Sequence, residues 1–325
     1  MQELRWNPIL KEWIIVASSR KDRPMDDTDQ SMCPFCSGSP EVEGRWEVLS
    51  LANKFPSLVM DPPPPSSKSH WLYKVQPAYG ACEVILETKD HTGDLGDLPV
   101  ERIKKVIDLF ADRFKVLGSK ERIKYVFEFR NKGKEIGVSL HHPHSQLYAL
   151  PFIPPIIEME LSSGKEYMEK EGECLFCRVI KEEKADGRRV ICENEHAICF
   201  VPFYAKWPYE THVYPIQHLQ CLPDMKEEQR LGFASILKQI ITTYNKLFSF
   251  SLPYIMVIHQ RPTDKEYRHY HMHVEFYPPN RAKDKLKFTA GIERGAGTYT
   301  MDYEPEQKAQ ELRNVYQRVF GKKKS

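Results

Sequence analysis

One pattern of cysteine and histidine runs through this chain twice, and few folds other than a duplicated unit accommodate that. Cys33-Pro-Phe-Cys36 is followed by His91 and then by His142-Pro-His144. Cys174-Leu-Phe-Cys177 is followed by His218 and then by His269-Tyr-His271-Met-His273. The interval from the lone histidine to the first of the group is 142 − 91 = 51 residues in one copy and 269 − 218 = 51 in the other. Zinc takes four ligands in a tetrahedron and favours thiolate and imidazole. The spacing therefore assigns Cys33, Cys36, His91 and His142 to one zinc ion. It assigns Cys174, Cys177, His218 and His269 to a second, so two zinc ions per chain are expected. His259 is near enough to compete for a place in the second set. Each set ties three distant segments of its half together, which couples metal binding to folding.

The repetition extends beyond the ligands. Between the lone histidine and the histidine group, each half has a Leu-Pro turn, an amphipathic helix and a strand. The first helix carries Ile103, Val106, Ile107, Phe110 and Phe114 at helical spacing. The second carries Leu231, Ile236, Leu237, Ile240, Ile241 and Tyr244. The strands that follow are Tyr125 to Phe129 and Tyr254 to Ile258, and a histidine-rich strand comes after each. Side chains two apart on a strand share a face. His142, His144 and Gln146 are expected on one face, and His269, His271 and His273 likewise. Halves at 1–160 and 165–325 follow, with their junction at Ser162 to Tyr167. The Asp61 to Ser67 stretch, with four consecutive prolines, reads as a surface linker.

Composition narrows the function classes. A net charge of +2 over 325 residues provides no broad basic field, so no nucleic-acid partner is expected. No apolar run reaches the roughly 18 residues of a membrane span, so no membrane partner is expected either. The first residues lack the apolar core of a signal peptide, which points to the cytoplasm. Two Cys-x-x-Cys pairs with downstream histidines favour metal over disulfides. Cys82, Cys192, Cys199 and Cys221 read as buried thiols.

His144 is the candidate nucleophile. A neutral imidazole attacks phosphorus well, and the phosphoramidate it forms can pass its cargo on, splitting one transfer into two. His142, held on zinc, would fix the strand beside it. Gln146 can donate to a phosphate oxygen without supplying a proton that promotes hydrolysis. His271 stands as the internal rival, at a position read as equivalent to His144.

His142-Pro-His144-Ser145-Gln146 resembles the active-site motif of the galactose-1-phosphate uridylyltransferases, a duplicated branch of the histidine triad superfamily. The likeness runs almost end to end. It includes Trp6-Asn7-Pro8, Arg20 to Pro24, Asn53-Lys54-Phe55-Pro56, Phe129 to Gly133, Val201-Pro202-Phe203, Trp207 to Thr211, Phe276 to Pro279 and Lys287-Phe288 with Gly291 and Glu293. The resemblance implies an α+β fold of two tandem histidine-triad-like halves, with antiparallel half-barrel sheets and flanking helices. It implies a ping-pong exchange in which His144 takes uridylyl from UDP-glucose and galactose 1-phosphate collects it. It also implies that Gln146 and Ser139 hold the transferring group and that Arg20 and Arg23 clamp phosphates from the partner subunit of a homodimer. Asn53, Phe55 and Asn131 would sit near the nucleotide, and Lys287, Phe288 and Glu293 near the hexose. Ser145 is grouped with the substrate contacts; many members have Gly or Cys there. Some members carry a Glu/His iron site as their second metal, and Cys174 and Cys177 are read here as replacing it.

Three other functions share this residue pattern: a phosphorylase acting on ADP-glucose with phosphate, a histidine triad hydrolase of nucleotide conjugates, and a non-enzymatic nucleotide-binding scaffold. Gln146, where the repeat spacing places His273 in the second copy, favours transfer over hydrolysis.

Overall fold

The computed structural model describes residues 1–22, 33–138 and 140–321. Its centre is one nine-stranded antiparallel sheet rather than a separate sheet for each half. The strands of the first half are β1 (Gln2–Asn7), β2 (Glu12–Ala17), β3 (Leu49–Ala52), β4 (Val75–Pro77), β5 (Ala81–Leu86), β6 (Tyr125–Lys132) and β7 (His144–Leu150). Those of the second are β8 (Val190–Glu193), β9 (Ala197–Phe200), β10 (Thr211–Pro215), β11 (Tyr254–His259), β12 (His273–Tyr277), β13 (Asn280–Ala282) and β14 (Lys285–Leu286). The central order is β3-β5-β7-β6-β11-β12-β10-β9-β8, and β2-β1-β4 forms a small sheet beside it.

This order is a palindrome of the duplication. Strands β3, β5, β7 and β6 correspond to β9, β10, β12 and β11, and the halves join where β6 pairs with β11. Register makes the correspondence residue by residue. Gln146 lies opposite Phe129 and Val84. Glu275 lies opposite Val257 and His212. Gln146 and Glu275 are therefore equivalent, and so are His144 and His273, the first residues of β7 and β12.

The helices are α1 (Val100–Gly118), α2 (Pro155–Glu171), α3 (Leu175–Asp186), α4 (Glu227–Leu247), α5 (Gly291–Ala296) and α6 (Pro305–Phe320). The expected apolar stripe of α1 is buried from Ile103 to Phe114, each such side chain contributing roughly 1.5–3 kcal/mol. In α4 the expected stripe is buried except for Leu231, which is exposed. Helices α1, α4 and α6 contribute to one core cluster against one face of the sheet. Arg113 of α1 adds a two-pronged bond to Glu83 of β5, at 2.8 and 2.6 Å. Part of the opposite face is covered by α2 and α3, which pack with Tyr125, Phe200 and Tyr214. The rest of that face carries the histidines.

Three local expectations change. The junction at Ser162 to Tyr167 lies inside a helix, α2, which Pro155 starts and Gly172 ends in a left-handed conformation (φ 74°). His269 lies in a turn and β12 begins only at His273, so the three alternating histidines do not share one strand. The proline-rich stretch is anchored at its end, because the backbone N–H and hydroxyl of Ser67 donate to the buried Glu3 carboxylate.

Candidate active site

His144 opens β7, and alternation sends His144, Gln146 and Tyr148 to one face and Ser145, Leu147 and Ala149 to the other. Its Nδ1 is 2.7 Å from the His142 carbonyl. A carbonyl only accepts, so Nδ1 carries the proton and Nε2 keeps its lone pair. Burial pushes the imidazole pKa down, which favours this neutral form. The cavity in front of the ring is lined by Arg20, Phe129, Asn131, Gln146 and Tyr148. A second lobe runs past Asn131, Lys134 and His141. Gly133 (φ 97°) turns the chain from β6 into this lobe; a side chain there would strike Pro253. No carboxylate is among the described residues lining either lobe. The site suits an anion.

Arg20 belongs to this cavity in its own chain, whereas the resemblance had implied the partner's. Its Nη1 donates to Ser57 Oγ and to Tyr148 OH, both at 2.8 Å. No acidic group is bonded to it among the described residues, so its charge is available to a ligand. Phe55 and Asn53 lie beside it rather than in the cavity lining. The Phe55 carbonyl is 3.5 Å from Arg20 Nη1, and the Asn53 side chain accepts the Phe55 N–H. Arg23 and Ser139 lie outside the described residues.

Ser145 departs from its expected role. Its hydroxyl faces away from the cavity and donates to Glu87 at 2.6 Å. Lys287 and Glu293 depart too. They form a buried pair at 2.6 Å, and Lys287 also donates to the Thr300 carbonyl, so both charges organise the tail. Phe288 beside them is 76% exposed. None of the three lines the His144 cavity of the same chain.

Behind His142 the first cysteine–histidine set converges. The ligand atoms of Cys33, Cys36, His91 and His142 all lie within 4.8 Å of one another. His142 Nδ1 is 3.9 and 3.7 Å from the two sulfurs, and His91 Nδ1 is 3.3 Å from that of Cys36. Those separations match tetrahedral zinc, whose Zn–S and Zn–N bonds of about 2.3 and 2.0 Å set edges of roughly 3.5 Å. The other ring nitrogen of His142 donates to the Thr88 carbonyl at 2.8 Å, which leaves Nδ1 free for the metal.

The second set closes differently. Cys174, Cys177 and His218 converge, but His269 is outside the group. The His269 carbonyl, not its ring, is the part near Cys174 Sγ, at 3.8 Å. His271 Nδ1 lies 3.4 Å from Cys177 Sγ, although it too falls outside the group of three. Register accounts for this contact: His271 precedes β12 as His142 precedes β7. The equivalent intervals are 51 and 271 − 218 = 53 residues. The shared 51 points to His269, whereas strand register and the contact with Cys177 point to His271.

It also follows that His273, not His271, corresponds to His144, and that Glu275, not His273, corresponds to Gln146. Glu160, His259, His273 and Glu275 form a third group able to hold a metal. The chain therefore carries both a cysteine set and a Glu/His set, not one in place of the other. His212 stands beside this third group, its Nε2 3.2 Å from Glu275 and 3.0 Å from Glu210. Burial pulls the His259 pKa down, yet Glu160 and Glu275 outweigh it and hold it at about 9. Three carboxylates, from Glu160, Glu210 and Glu275, line the adjoining cavity. Lys206, His212 and His273 line it as well, and it lacks the carboxylate-free lining of the His144 cavity. Glu160 and Glu275 went unnoticed in the sequence because α2, β11 and β12 meet only in the folded sheet. Strand alternation from a correctly placed His273 would have located Glu275.

The domain described as galactose-1-phosphate uridyl transferase, N-terminal domain, matches residues 1–154, and its C-terminal counterpart matches residues 160–324. The chain belongs to the galactose-1-phosphate uridylyltransferase family. It is 38% identical to the galactose-1-phosphate uridylyltransferase of Thermotoga maritima over 97% of this chain and 99% of that one. The Haemophilus influenzae enzyme of the same name is 32% identical over 95% and 93%. A solved uridylyltransferase structure superimposes with a TM-score of 0.90 at 38% identity, covering 98% of this chain and 99% of the other. The ADP-glucose phosphorylase of Arabidopsis thaliana is more distant, at 26% identity over 96% and 93%. Membership accounts for the α+β fold and its internal repeat. No helix among the described residues is long and apolar enough to cross a membrane.

Proposed function

We propose that this chain transfers uridylyl from UDP-glucose to galactose 1-phosphate through His144. One observation carries the reading: a buried imidazole whose Nδ1–H is committed to a carbonyl leaves its other nitrogen beside an anion-suited cavity that includes Arg20. His144 Nε2 attacks the α-phosphorus of UDP-glucose. The P–N bond forms as the P–O bond to the leaving phosphate breaks, and glucose 1-phosphate departs. Uridylylation places positive charge on the ring, which the Nδ1–H bond to the His142 carbonyl stabilises. A phosphate oxygen of galactose 1-phosphate then attacks the same phosphorus and His144 is regenerated. Gln146 and Asn131 donate to the phosphoryl oxygens, and Arg20 balances their charge.

Cys33, Cys36, His91 and His142 would hold a zinc ion, whose contribution is to anchor His142 and so the strand that presents His144. Cys174, Cys177, His218 and His271 would hold a second. His271→Ala should release the second-site metal and His269→Ala should retain it, as read by metal analysis of purified protein. Metal loss from the His269 variant alone would reverse the assignment. The third group, around His273, extends the count of candidate metal sites beyond two.

A homodimer is supported by the placement of Phe288, exposed and away from its own chain's His144 cavity, where it can serve a partner's. A cytoplasmic location accords with sugar-nucleotide substrates. Incubation with α-32P-labelled UDP-glucose should leave acid-labile, base-stable label on the protein, and galactose 1-phosphate should discharge it. Label taken only from ADP-glucose and discharged by phosphate would indicate the phosphorylase. Release of nucleoside monophosphate without an acceptor would indicate the hydrolase.

A further inference from the structure

The ladder beside the nucleophile is open on one side. Strand β5 pairs with β7 as far as Leu86 opposite His144. On the other flank, pairing between β6 and β7 ends at Phe129 opposite Gln146. Strand β6 continues through Lys132, but there it pairs only with β11. Between Arg130–Lys132 and His144–Ser145 the sheet is parted, and Asn131 and His144 line both lobes of the cavity that enters there. A strand end freed on one side would let the imidazole wander, and a displacement of about 1 Å can cost on the order of a hundredfold in rate.

Side chains close that gap from the back of the sheet. Glu87, one residue past β5, grips both neighbours of His144. Its backbone N–H is 3.4 Å from the Pro143 carbonyl, and its carboxylate accepts the Ser145 hydroxyl at 2.6 Å. Arg130 of β6 reaches beneath β7 and donates from Nε to both Glu87 oxygens, at 2.9 and 3.1 Å. Arg130 Nη1 is 2.8 Å from Tyr254 OH and 3.1 Å from Asp94. Lys132 secures the far end by donating to Asp94, Asn245 and Ser251. Glu87 and Arg130 are 0% and 2% exposed. A buried ion pair is weak evidence for stability, because desolvation offsets much of its attraction.

We infer that Glu87, Arg130 and Ser145 are positioning residues for the transfer reaction, a buried strut that replaces the missing β6–β7 pairing and holds His144 at the cavity mouth. The inference rests on the transferase reading above and adds to it residues behind the catalytic strand, of which only Arg130 borders the second lobe of the cavity. Arg130 sits on β6 and Glu87 just past the end of β5, on opposite sides of β7, so their ion pair spans the catalytic strand.

The test compares the unmodified protein with Ser145→Ala and Glu87→Gln, measuring the rate of label uptake from UDP-glucose, its concentration dependence and the melting temperature. Ser145→Ala deletes one hydrogen bond and no charge. Uptake at saturation should slow about tenfold while the half-saturating UDP-glucose concentration stays within about twofold. Glu87→Gln keeps the shape but breaks the charge pairing, and should slow uptake further. Should Glu87→Gln fail to fold, Ser145→Ala decides alone. Ser145→Ala uptake at the unmodified rate, whether or not its melting temperature falls, overturns the strut. Absence of label on the unmodified protein overturns instead the transferase reading on which the strut depends.

Discussion

His144→Asn will abolish uridylyl transfer, lowering turnover by more than about 10³-fold, or roughly 4 kcal/mol of barrier. Asparagine can keep a bond to the His142 carbonyl, but its amide nitrogen has no lone pair with which to attack phosphorus. The expected pattern is specific. No label accumulates from UDP-glucose, the metal content is unchanged and the melting temperature moves little. His144 is not a member of the cysteine set, and its strand is held by Ser145 and Pro143 on either side. Steady-state kinetics with metal analysis on the same preparation checks all of this. Retained turnover would place the nucleophile elsewhere, and His273 would then be the residue to replace, since it alone shares the strand position of His144.

Gln146→Glu comes second in expected effect. It gives the first copy the side chain that the second copy carries at Glu275. Gln146 is 9% exposed and lines the cavity with Arg20. A carboxylate there would meet the anionic diphosphate at close range. At about 4 Å and an effective dielectric near 20, the repulsion is about 4 kcal/mol, and the amide donor is lost as well. Screening and partial protonation reduce that, so kcat/KM should fall about 10²- to 10³-fold while the folded structure persists. Gln146→Ala serves as the control, because it removes the donor without adding charge and should cost less. Equal losses in the two variants would mean that the added charge is not what lowers the rate.

The duplication is also a record of divergence. Both copies place a histidine at the head of a strand with Nδ1 against the carbonyl two residues before it, at 2.7 Å for His144 and 3.1 Å for His273. The backbone device is therefore common to both. The surroundings differ: Arg20, Gln146 and Asn131 on one side, and Glu160, Glu275, His212 and His259 on the other. In the second site the histidines and carboxylates neutralise one another. Burial raises the Glu275 pKa, but His212, His259 and His273 hold it well below the usual carboxylate range. The same scaffold thus supports an anion site and a metal-type cluster, and register decides which side chains face which.

The chain's own letters determined that it is an internal repeat, that the first set holds Cys33, Cys36, His91 and His142, and that His144 and Gln146 share a face. Residue type restricts metal ligands, and strand alternation is a local rule, so neither needs the rest of the molecule. Only the tertiary structure decided that His271 rather than His269 lies by Cys177, that Ser145 turns its back on the cavity, and that Glu87 and Arg130 meet beneath the nucleophile. Loops of unequal length separate equivalent residues by 51 positions in one half and 53 in the other, while hydrogen-bonded register aligns them without error. Counting residues measures chain length, whereas pairing measures position in space, and a site made by long-range contacts obeys the second.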